Sequence, residues 1–252
     1  ILEENTLSRL LKTEGVTNVF ELQSLNENKH KIIEYFNNNK IFYDKDPNKL
    51  FTLKDRDEKI KIGYYKPETT ANCPYIFDIV NDNHILNTLN SYFKSPYKLD
   101  YMAAWWSFTN KGLASEKTQY FHRDLDSLNF IKFFIYLTDV DLNSGPHQYI
   151  KYSQLKYYGH KVNRKTIDEK NIKDLESENL FTFTGKSGSV IGENTFGFHR
   201  AMTPVSNDRL MLVLCYSLAK TYYGPSKPFL NLNNLKLKNK NIKKYLNQTY
   251  IL

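Results

Sequence analysis

The sequence predicts an α+β protein with a helical N-terminal part and a β-sandwich or jelly roll in its second half. Apolar residues recur at helical spacing in roughly the first hundred residues, whereas short aromatic, β-rich runs follow one another from about residue 98. Gly, Pro, Asn or Asp separate these runs, and no regular helices lie between them, which argues against a parallel α/β sheet. A length of 252 residues suits one domain with one sizeable core.

Two helices and a hairpin are predicted before residue 98. The stretch SLNENKHKIIEYF (24–36) opens with Ser24 and Glu27 in capping-box spacing. Its apolar residues fall on one helical face: Leu25, Ile32, Ile33 and Phe36. HILNTLNSYF (84–93) repeats this spacing, and KLFTLKDRDEKIKIGYY (49–65) has two apolar–polar alternations around a charged turn, as in a hairpin.

The second half carries the predicted strands, which are KLDYMAAWWSF, TQYFHRD, FIKFFIYLTDV, LFTFTG, GSVIGE, GFHRA and RLMLVLCYSL. We therefore expect one domain over residues 1–252, made of a helical and hairpin region (1–97), a β core (98–220) and a basic C-terminal extension (221–252). The long polar stretch 151–179 between two strands is typical of a mobile cover over a site, and we expect substrate to order it.

The positive charge of the chain is concentrated near its C-terminus. Of 35 Lys and Arg residues, eight lie from Arg209 onward, where no acidic residue occurs, so the remaining 27 balance the 27 Asp and Glu. We therefore expect no nucleic-acid partner. Cys73 and Cys215 form no CxxC pattern, and no apolar run approaches the length of a membrane span, so a reducing cytoplasmic location is expected and no membrane partner.

The stretch QYFHRDLDS (119–127) is a candidate metal-binding element. In a strand, side chains two residues apart point to the same side, about 6.6 Å apart, so His122 and Asp124 can reach one ion. Asp126, one step further on this face, is the alternative carboxylate, or else supports the site or caps the loop. Such a short match also describes a polar turn that closes a strand.

A second imidazole lies far along the chain, at His199, ten residues before Arg209 begins the final apolar strand. Two imidazoles and the Asp124 carboxylate form a facial triad that leaves three positions open on Fe(II) for a chelating cosubstrate and O2. Arg209 supplies the fixed, bidentate cation that holds a distal carboxylate. Arg200 is the rival anchor, although strand alternation points it away from the side of His199.

The chain resembles the phytanoyl-CoA dioxygenase family of Fe(II)- and 2-oxoglutarate-dependent oxygenases. The resemblance covers about residues 100–218 and rests on WWSF, TQYFHRDLDSLNFIKFFIYLTDVDLNSGPHQYI and SGSVIGENTFGFHRAMTPVSNDRLML, in the order of the family. It implies a double-stranded β-helix (a cupin-like jelly roll), iron ligation by His122, Asp124 and His199, and binding of the 2-oxoglutarate C5 carboxylate by Arg209. Where members often continue into a Gly-Ser-His element, this chain reads KYSQLK.

Further residues are candidates for contacting cosubstrate or substrate. Lys132 and Tyr136 share one face of FIKFFIYL, and a Lys in an apolar strand needs an anionic partner. We expect it to contact 2-oxoglutarate or substrate, and an edge strand with Lys132 in solvent is the alternative. Trp105 and Trp106 alternate, so one is expected in the core and the other is a candidate for the pocket, with plain core packing of both as the alternative. His147 and His160, beside or within the stretch 151–179, are candidates for touching substrate, and surface positions are expected for them.

The expected reaction is hydroxylation of a small-molecule metabolite, with Fe(II), 2-oxoglutarate and O2 consumed in the usual roles and succinate and CO2 as coproducts. Halogenation is disfavoured, because related halogenases replace the carboxylate ligand with a small residue and Asp124 is present here. A Lys-rich, aromatic pocket rim would suit an anionic substrate. The alternative function is a non-catalytic jelly-roll module that binds an anionic partner through its basic C-terminal tail.

Overall fold

The computed structural model of the protein describes residues 5–43, 46–110, 119–155, 178–239 and 242–252. In these ranges the helices are α1 (Thr6–Thr13), α2 (Gln23–Asn26), α3 (Lys29–Asn38), α4 (Pro67–Ala71), α5 (Ile76–Val80), α6 (Asn83–Phe93) and α7 (Lys244–Asn247). The strands are β1 (Phe20–Glu21), β2 (Ile41–Tyr43), β3 (Asp46–Phe51), β4 (Ile62–Tyr64), β5 (Lys98–Ser107), β6 (Phe130–Tyr136), β7 (His147–Ile150), β8 (Leu180–Phe183), β9 (Ser189–Glu193), β10 (His199–Ala201) and β11 (Arg209–Ser217).

The strands form two antiparallel sheets. The larger has eight strands in the order β1-β9-β6-β11-β5-β4-β2-β3, and the smaller has three in the order β10-β7-β8. The two sheets pack together where the ring of Phe134 on β6 stacks on His147 of β7, with 4.6 Å between ring centroids. The chain is thus a mixed α/β protein built around a large antiparallel sheet, and the predicted α+β class is confirmed at this level.

Alternation along the central strands divides the core between the two faces of the large sheet. On β6, Ile131, Phe133 and Ile135 pack into the core that includes the helices. Phe134 and Tyr136, on the opposite face, pack toward the small sheet. Because both faces are covered, β6 and β11 are buried along their whole length, which explains their nearly continuous apolar sequences.

Most predicted strands are confirmed, with two differences. FHRD forms no strand in the described residues; His122 makes only an isolated bridge to His199. The predicted hairpin of residues 49–65 is wrong, because β3 and β4 do not pair with each other. Strand β2 lies between them and pairs with both. The segment thus contains strands, as predicted, but they pair with β2 and not with each other.

The helix predicted over residues 24–36 is broken into α2 and α3, and its capping box does not form. The Ser24 hydroxyl donates instead to Asp82 Oδ2 at 2.6 Å. Glu27 accepts from Lys238 Nζ at 2.7 Å. The buried face is as predicted, because Leu25, Ile32 and Phe36 are fully buried. Tertiary partners thus outcompete the local cap.

Residues from 221 onward lie on the body of the protein where the structure describes them. Leu230, Leu246 and Tyr250 are buried in the main core, and the Tyr250 hydroxyl oxygen accepts a hydrogen bond from the backbone N–H of Met102 at 2.8 Å. The polar stretch predicted as a cover falls mostly outside the described residues, since 156–177 are not among them. No helix in the described ranges has the length and apolar character needed to cross a bilayer.

Candidate metal centre

Two loop segments bring the candidate ligands together. His122 and His199 exchange backbone hydrogen bonds of 3.0 and 3.1 Å, and the Asp124 N–H donates to the Thr195 carbonyl at 2.9 Å. These bonds fix the segment around His122 against the start of β10. One donor atom each from His122, Asp124 and His199 lies within 4.8 Å of the others. The three predicted ligands therefore converge, although a bridge rather than a strand positions the first two.

Both imidazoles are oriented for metal binding. Nδ1 of His122 lies 2.9 Å from the Tyr120 carbonyl, and Nδ1 of His199 lies 3.0 Å from the Gly197 carbonyl. A carbonyl can only accept, so each Nδ1 carries the proton and each Nε2 keeps its lone pair. The Nε2 atoms lie 3.8 and 3.4 Å from oxygens of Asp124. Two such imidazoles and a carboxylate fit a divalent transition metal.

Electrostatics keep this cluster ready to bind a cation. Burial, aided by the nearby His199, lowers the pKa of His122 to about 4, so its ring is neutral at physiological pH. Burial alone would raise the pKa of Asp124, but the Lys132 ammonium and His199 hold it well below its usual range. In His199, the Asp124 carboxylate outweighs burial and raises the pKa. Nε2 must be unprotonated to bind a metal ion, so an ion held by His199 would displace any proton on that atom.

A buried lysine lies directly behind the carboxylate ligand. Lys132 Nζ donates to Asp124 Oδ2 at 2.6 Å and to Asp126 Oδ2 at 2.7 Å. Tyr101 donates its hydroxyl hydrogen to Asp126 Oδ2 at 2.9 Å. Strand β6 lies between β9 and β11, so the alternative of Lys132 on a solvent-facing edge is wrong. Its anionic partners are these two aspartates.

A neutral acid–base pair supports the second imidazole. Burial raises the pKa of Glu193 to about 8 and lowers the pKa of His147 well below its usual value. The protonated carboxyl of Glu193 therefore donates to His147 Nε2, which lies 3.0 Å from Oε2. His147 stacks on His199 with 5.7 Å between ring centroids. The expectation that His147 lies on the surface is wrong, because it is buried beside the candidate ligand.

Arg209 is fully buried on the same face of β11 as Met211 and Val213, which line the cavity described below. Its Nη2 donates to Ser107 Oγ at 3.1 Å, whereas Nε and Nη1 have no hydrogen-bond partner among the described residues. Burial lowers the pKa of Arg209 to about 10, so the guanidinium stays charged. A buried guanidinium whose Nε and Nη1 have no partner among the described residues could receive an anion.

The rival anchor, Arg200, has different surroundings. Its Nε donates to Gln148 Oε1 at 2.8 Å, and its guanidinium lies 4.3 Å from the centre of the Phe121 ring. It is half-buried and does not line the cavity. The structure thus places Arg209 behind the cavity wall and directs Arg200 elsewhere, as strand alternation predicted.

A cavity of about 630 Å³ opens in front of the candidate ligands, which line it together with Lys132 and Ser107. The aromatic side chains of Tyr101 and Trp105 on β5 also line it. Trp106 points to the other face, where its Nε1 donates to the Tyr65 hydroxyl at 3.0 Å, so the predicted division of the two tryptophans is confirmed. A volume of this size accommodates a small organic molecule.

The structure separates the remaining candidates. Tyr136 is fully buried, and its hydroxyl donates to the Phe183 carbonyl at 2.8 Å and accepts from the His147 N–H at 2.9 Å. These backbone partners use its hydrogen-bonding capacity, and its contact with a cosubstrate stays a prediction. Asp126 is outside the group of donors that could hold one ion, so Asp124 is the carboxylate that the geometry favours. His160 lies outside the described residues.

Sequence reasoning missed Glu193 and the anchoring role of Ser107. Glu193 ends the apolar run SVIGE, and a carboxyl group inside such a run is the signal that could have identified it. Ser107 lies directly opposite Arg209 in the β5–β11 register. That pairing depends on which strands are neighbours, and the sequence alone does not define it.

No family model matches the chain, and no curated protein matches it significantly. Solved structures with the same fold do match. The non-heme alpha-ketoglutarate-dependent carbocyclase SnoK from nogalamycin biosynthesis is 14% identical, with a TM-score of 0.57 over 83% of this chain and 82% of SnoK. HygX from Streptomyces hygroscopicus, solved with nickel and 2-oxoglutarate, is 14% identical, with a TM-score of 0.57 over 94% of this chain and 92% of HygX.

The epimerase SnoN, solved in complex with Fe3+, alpha-ketoglutarate and nogalamycin RO, is 12% identical, with a TM-score of 0.58 over 83% of this chain and 81% of SnoN. At these identities the comparison establishes a common fold. SnoK and SnoN are described as non-heme, alpha-ketoglutarate-dependent enzymes, and HygX was solved with nickel and 2-oxoglutarate bound. The present chain shares the overall arrangement of their strands and helices over most of its length.

Proposed function

We propose that the protein is an Fe(II)- and 2-oxoglutarate-dependent oxygenase, of the phytanoyl-CoA dioxygenase type and with a double-stranded β-helix (jelly-roll) core. In this proposal it hydroxylates a small-molecule substrate. One combination of observations carries the proposal. His122, Asp124 and His199 converge at one cavity, and the nearby Arg209 is buried with Nε and Nη1 lacking hydrogen-bond partners among the described residues. The fold shared with SnoK and HygX supports it.

Each predicted requirement of the chemistry has a candidate residue. His122, Asp124 and His199 would hold Fe(II) through three donors and leave three positions for ligands. When bound, iron and 2-oxoglutarate supply the oxidising chemistry, in which O2 places one oxygen atom in the substrate and the other in succinate, with release of CO2. The hydroxylated product, succinate and CO2 together account for all atoms of substrate, 2-oxoglutarate and O2.

The roles of the other residues follow from their contacts. Arg209 would receive the distal carboxylate of 2-oxoglutarate on Nε or Nη1 together with the second N–H of Nη2, while Ser107 fixes the plane of the guanidinium. His147 packs against the His199 ring and limits its rotation. Apolar side chains such as Val213 and Phe134 line the cavity and exclude water from the reacting centre.

Hydroxylation is the favoured outcome within this class because Asp124 occupies the ligand position that a halide would need. The alternative of a non-catalytic module with an anion-binding basic tail has less support. Lys238 of that tail pairs with Glu27 at 2.7 Å, and the tail contributes Leu246 and Tyr250 to the core.

The test has a binding stage and a turnover stage. Protein stripped of metal should bind one Ni(II), used as a redox-inert substitute, and then one 2-oxoglutarate by titration calorimetry. Fe(II)-loaded protein should next be exposed to O2 with a metabolite library, scoring succinate release that depends on the added compound. A product heavier than its substrate by one oxygen atom, labelled from 18O2, indicates hydroxylation. Failure of the wild-type protein to bind 2-oxoglutarate in the presence of Ni(II) would refute the proposal.

A further inference from the structure

Two carboxylates lie close to the proposed metal position, and one lysine separates them. Lys132 Nζ contacts Asp124 Oδ2 at 2.6 Å and Asp126 Oδ2 at 2.7 Å, so these two oxygens are at most 5.3 Å apart. The side chains of Lys132 and Asp126 are almost completely buried. Both contacts are ion pairs, so the lysine side chain is bound to the two carboxylates before any ligand enters.

Without this ammonium, the arrangement would change in two ways. The two carboxylates would repel each other at short distance in a poorly solvated site. A divalent cation nearby would attract both of them, because Asp126 lies only two residues beyond Asp124 on the same loop. Asp126 could then add a fourth protein donor, and Asp124 could bind through both of its oxygens. Either change fills a position that 2-oxoglutarate or O2 requires.

We infer that Lys132 is a positioning residue that makes Asp124 a single-oxygen ligand and holds Asp126 away from the metal. This inference rests on the proposed function. Lys132 occupies one oxygen of Asp124 and leaves the other for the metal. It holds Asp126 together with Tyr101, whose hydroxyl donates to the same Asp126 oxygen that Lys132 contacts. The lysine thus keeps coordination positions open without touching the metal itself.

The inference predicts opposite changes in two affinities when Lys132 is replaced by methionine, which has a similar shape and no charge. Lys132→Met adds one net negative charge beside the cation, so Ni(II) affinity should be retained or increased. The affinity of the Ni(II)-loaded protein for 2-oxoglutarate should fall about tenfold or more, because coordination positions are filled and the dianion is repelled. A purely structural role would weaken both affinities together.

A double-mutant cycle assigns the effect to Asp126. In Lys132→Met/Asp126→Asn, the competing carboxylate is absent and the net charge is restored, so 2-oxoglutarate should bind more tightly than in Lys132→Met. Asp126→Asn alone retains the lysine on Asp124 and should change 2-oxoglutarate affinity little. If Lys132→Met does not fold, the 2-oxoglutarate affinities of the double variant and of Asp126→Asn can still be compared, because these two proteins differ only at residue 132. The double variant is expected to bind 2-oxoglutarate more weakly.

The outcomes separate this inference from the proposed function. Wild-type protein that binds neither Ni(II) nor 2-oxoglutarate would contradict the function itself. If wild-type protein binds both, the inference is overturned by unchanged 2-oxoglutarate affinity in Lys132→Met, or by parallel loss of both affinities with no recovery in the double variant. Where only the double variant folds, affinity equal to that of Asp126→Asn overturns it. Thermal unfolding of each variant with and without Ni(II) identifies the folded ones.

Discussion

Replacing Arg209 by lysine tests the cosubstrate site while keeping the charge. In the structure, the guanidinium donates one Nη2 N–H to Ser107 Oγ, and its Nε and Nη1 atoms have no partners among the described residues. The second Nη2 N–H, together with an N–H of either Nε or Nη1, can form two parallel bonds to one carboxylate. The ammonium of lysine is a single point donor on a flexible stem and cannot reproduce that geometry.

The magnitude follows from the number of bonds lost. A hydrogen bond involving a charged group contributes about 1.5–3 kcal/mol, and Arg209→Lys removes at least one of two. A loss of about 1.4 kcal/mol is tenfold in affinity, so we expect the Kd of the Ni(II)-loaded protein for 2-oxoglutarate to rise at least about tenfold. Titration calorimetry measures it directly, and the apparent KM for 2-oxoglutarate should follow. Ni(II) affinity without cosubstrate should hardly change, because Arg209 is not a ligand.

Arg200→Lys is the matched control, since Arg200 bonds to Gln148 and stacks on Phe121 rather than lining the cavity. Its effect on 2-oxoglutarate binding should be clearly smaller than that of Arg209→Lys. The reverse order would identify Arg200 as the anchor and refute the assignment of the unpaired N–H groups to the cosubstrate. If neither substitution changes the Kd for 2-oxoglutarate, neither arginine binds the cosubstrate.

Three further predictions follow from the buried charges. Asp124→Ala should abolish Ni(II) binding and turnover with little loss of fold, as calorimetry and circular dichroism would show; retained activity would indicate that Asp126 or another carboxylate is the ligand. Arg209→Met should raise the unfolding free energy of the protein without metal or cosubstrate, because it removes a buried cation with unmet hydrogen bonds; a lower value in urea would contradict this. The pKa of Glu193 is raised from 4.5 to about 8 by folding, so its stabilising contribution is lost as pH rises through that range. Between pH 6.5 and 8, where protonation of His147 does not interfere, metal-free wild type should lose about 1.5 kcal/mol relative to Glu193→Gln, and parallel pH profiles in urea would refute it.

The sequence predicted the strands best where burial on both faces leaves a continuous apolar run, as in β6 and β11. It predicted partners poorly. The alternation around residues 49–65 is real, yet β2 inserts between the two strands because pairing depends on the whole sheet. The Ser24–Glu27 spacing is equally real, yet both side chains bond to residues far along the chain. Local patterns define each element's type, and long-range contacts define its neighbour.

The candidate site shows the same division. The spacing of His122 and Asp124 and the distant His199, together with the family resemblance, predicted which candidate ligands converge. The reason given for it was incomplete, since a bridge to His199, rather than strand alternation, orients the His122 segment. An apolar strand containing Lys132 indicated a buried anionic partner, but only the folded loop identifies Asp124 and Asp126 as that partner.

The two buried cations of the site, Lys132 and Arg209, differ in the number of carboxylates that pair with them. Lys132 has two carboxylates for one charge, so it is fully engaged before any ligand enters. Arg209 has none among the described residues, where its Nε and Nη1 are without hydrogen-bond partners. A buried charge without a partner is costly, and a ligand of opposite charge would offset that cost. In the proposed function the arginine would therefore contribute affinity for the dicarboxylate cosubstrate, whereas the lysine would act on the geometry of the residues that hold the metal.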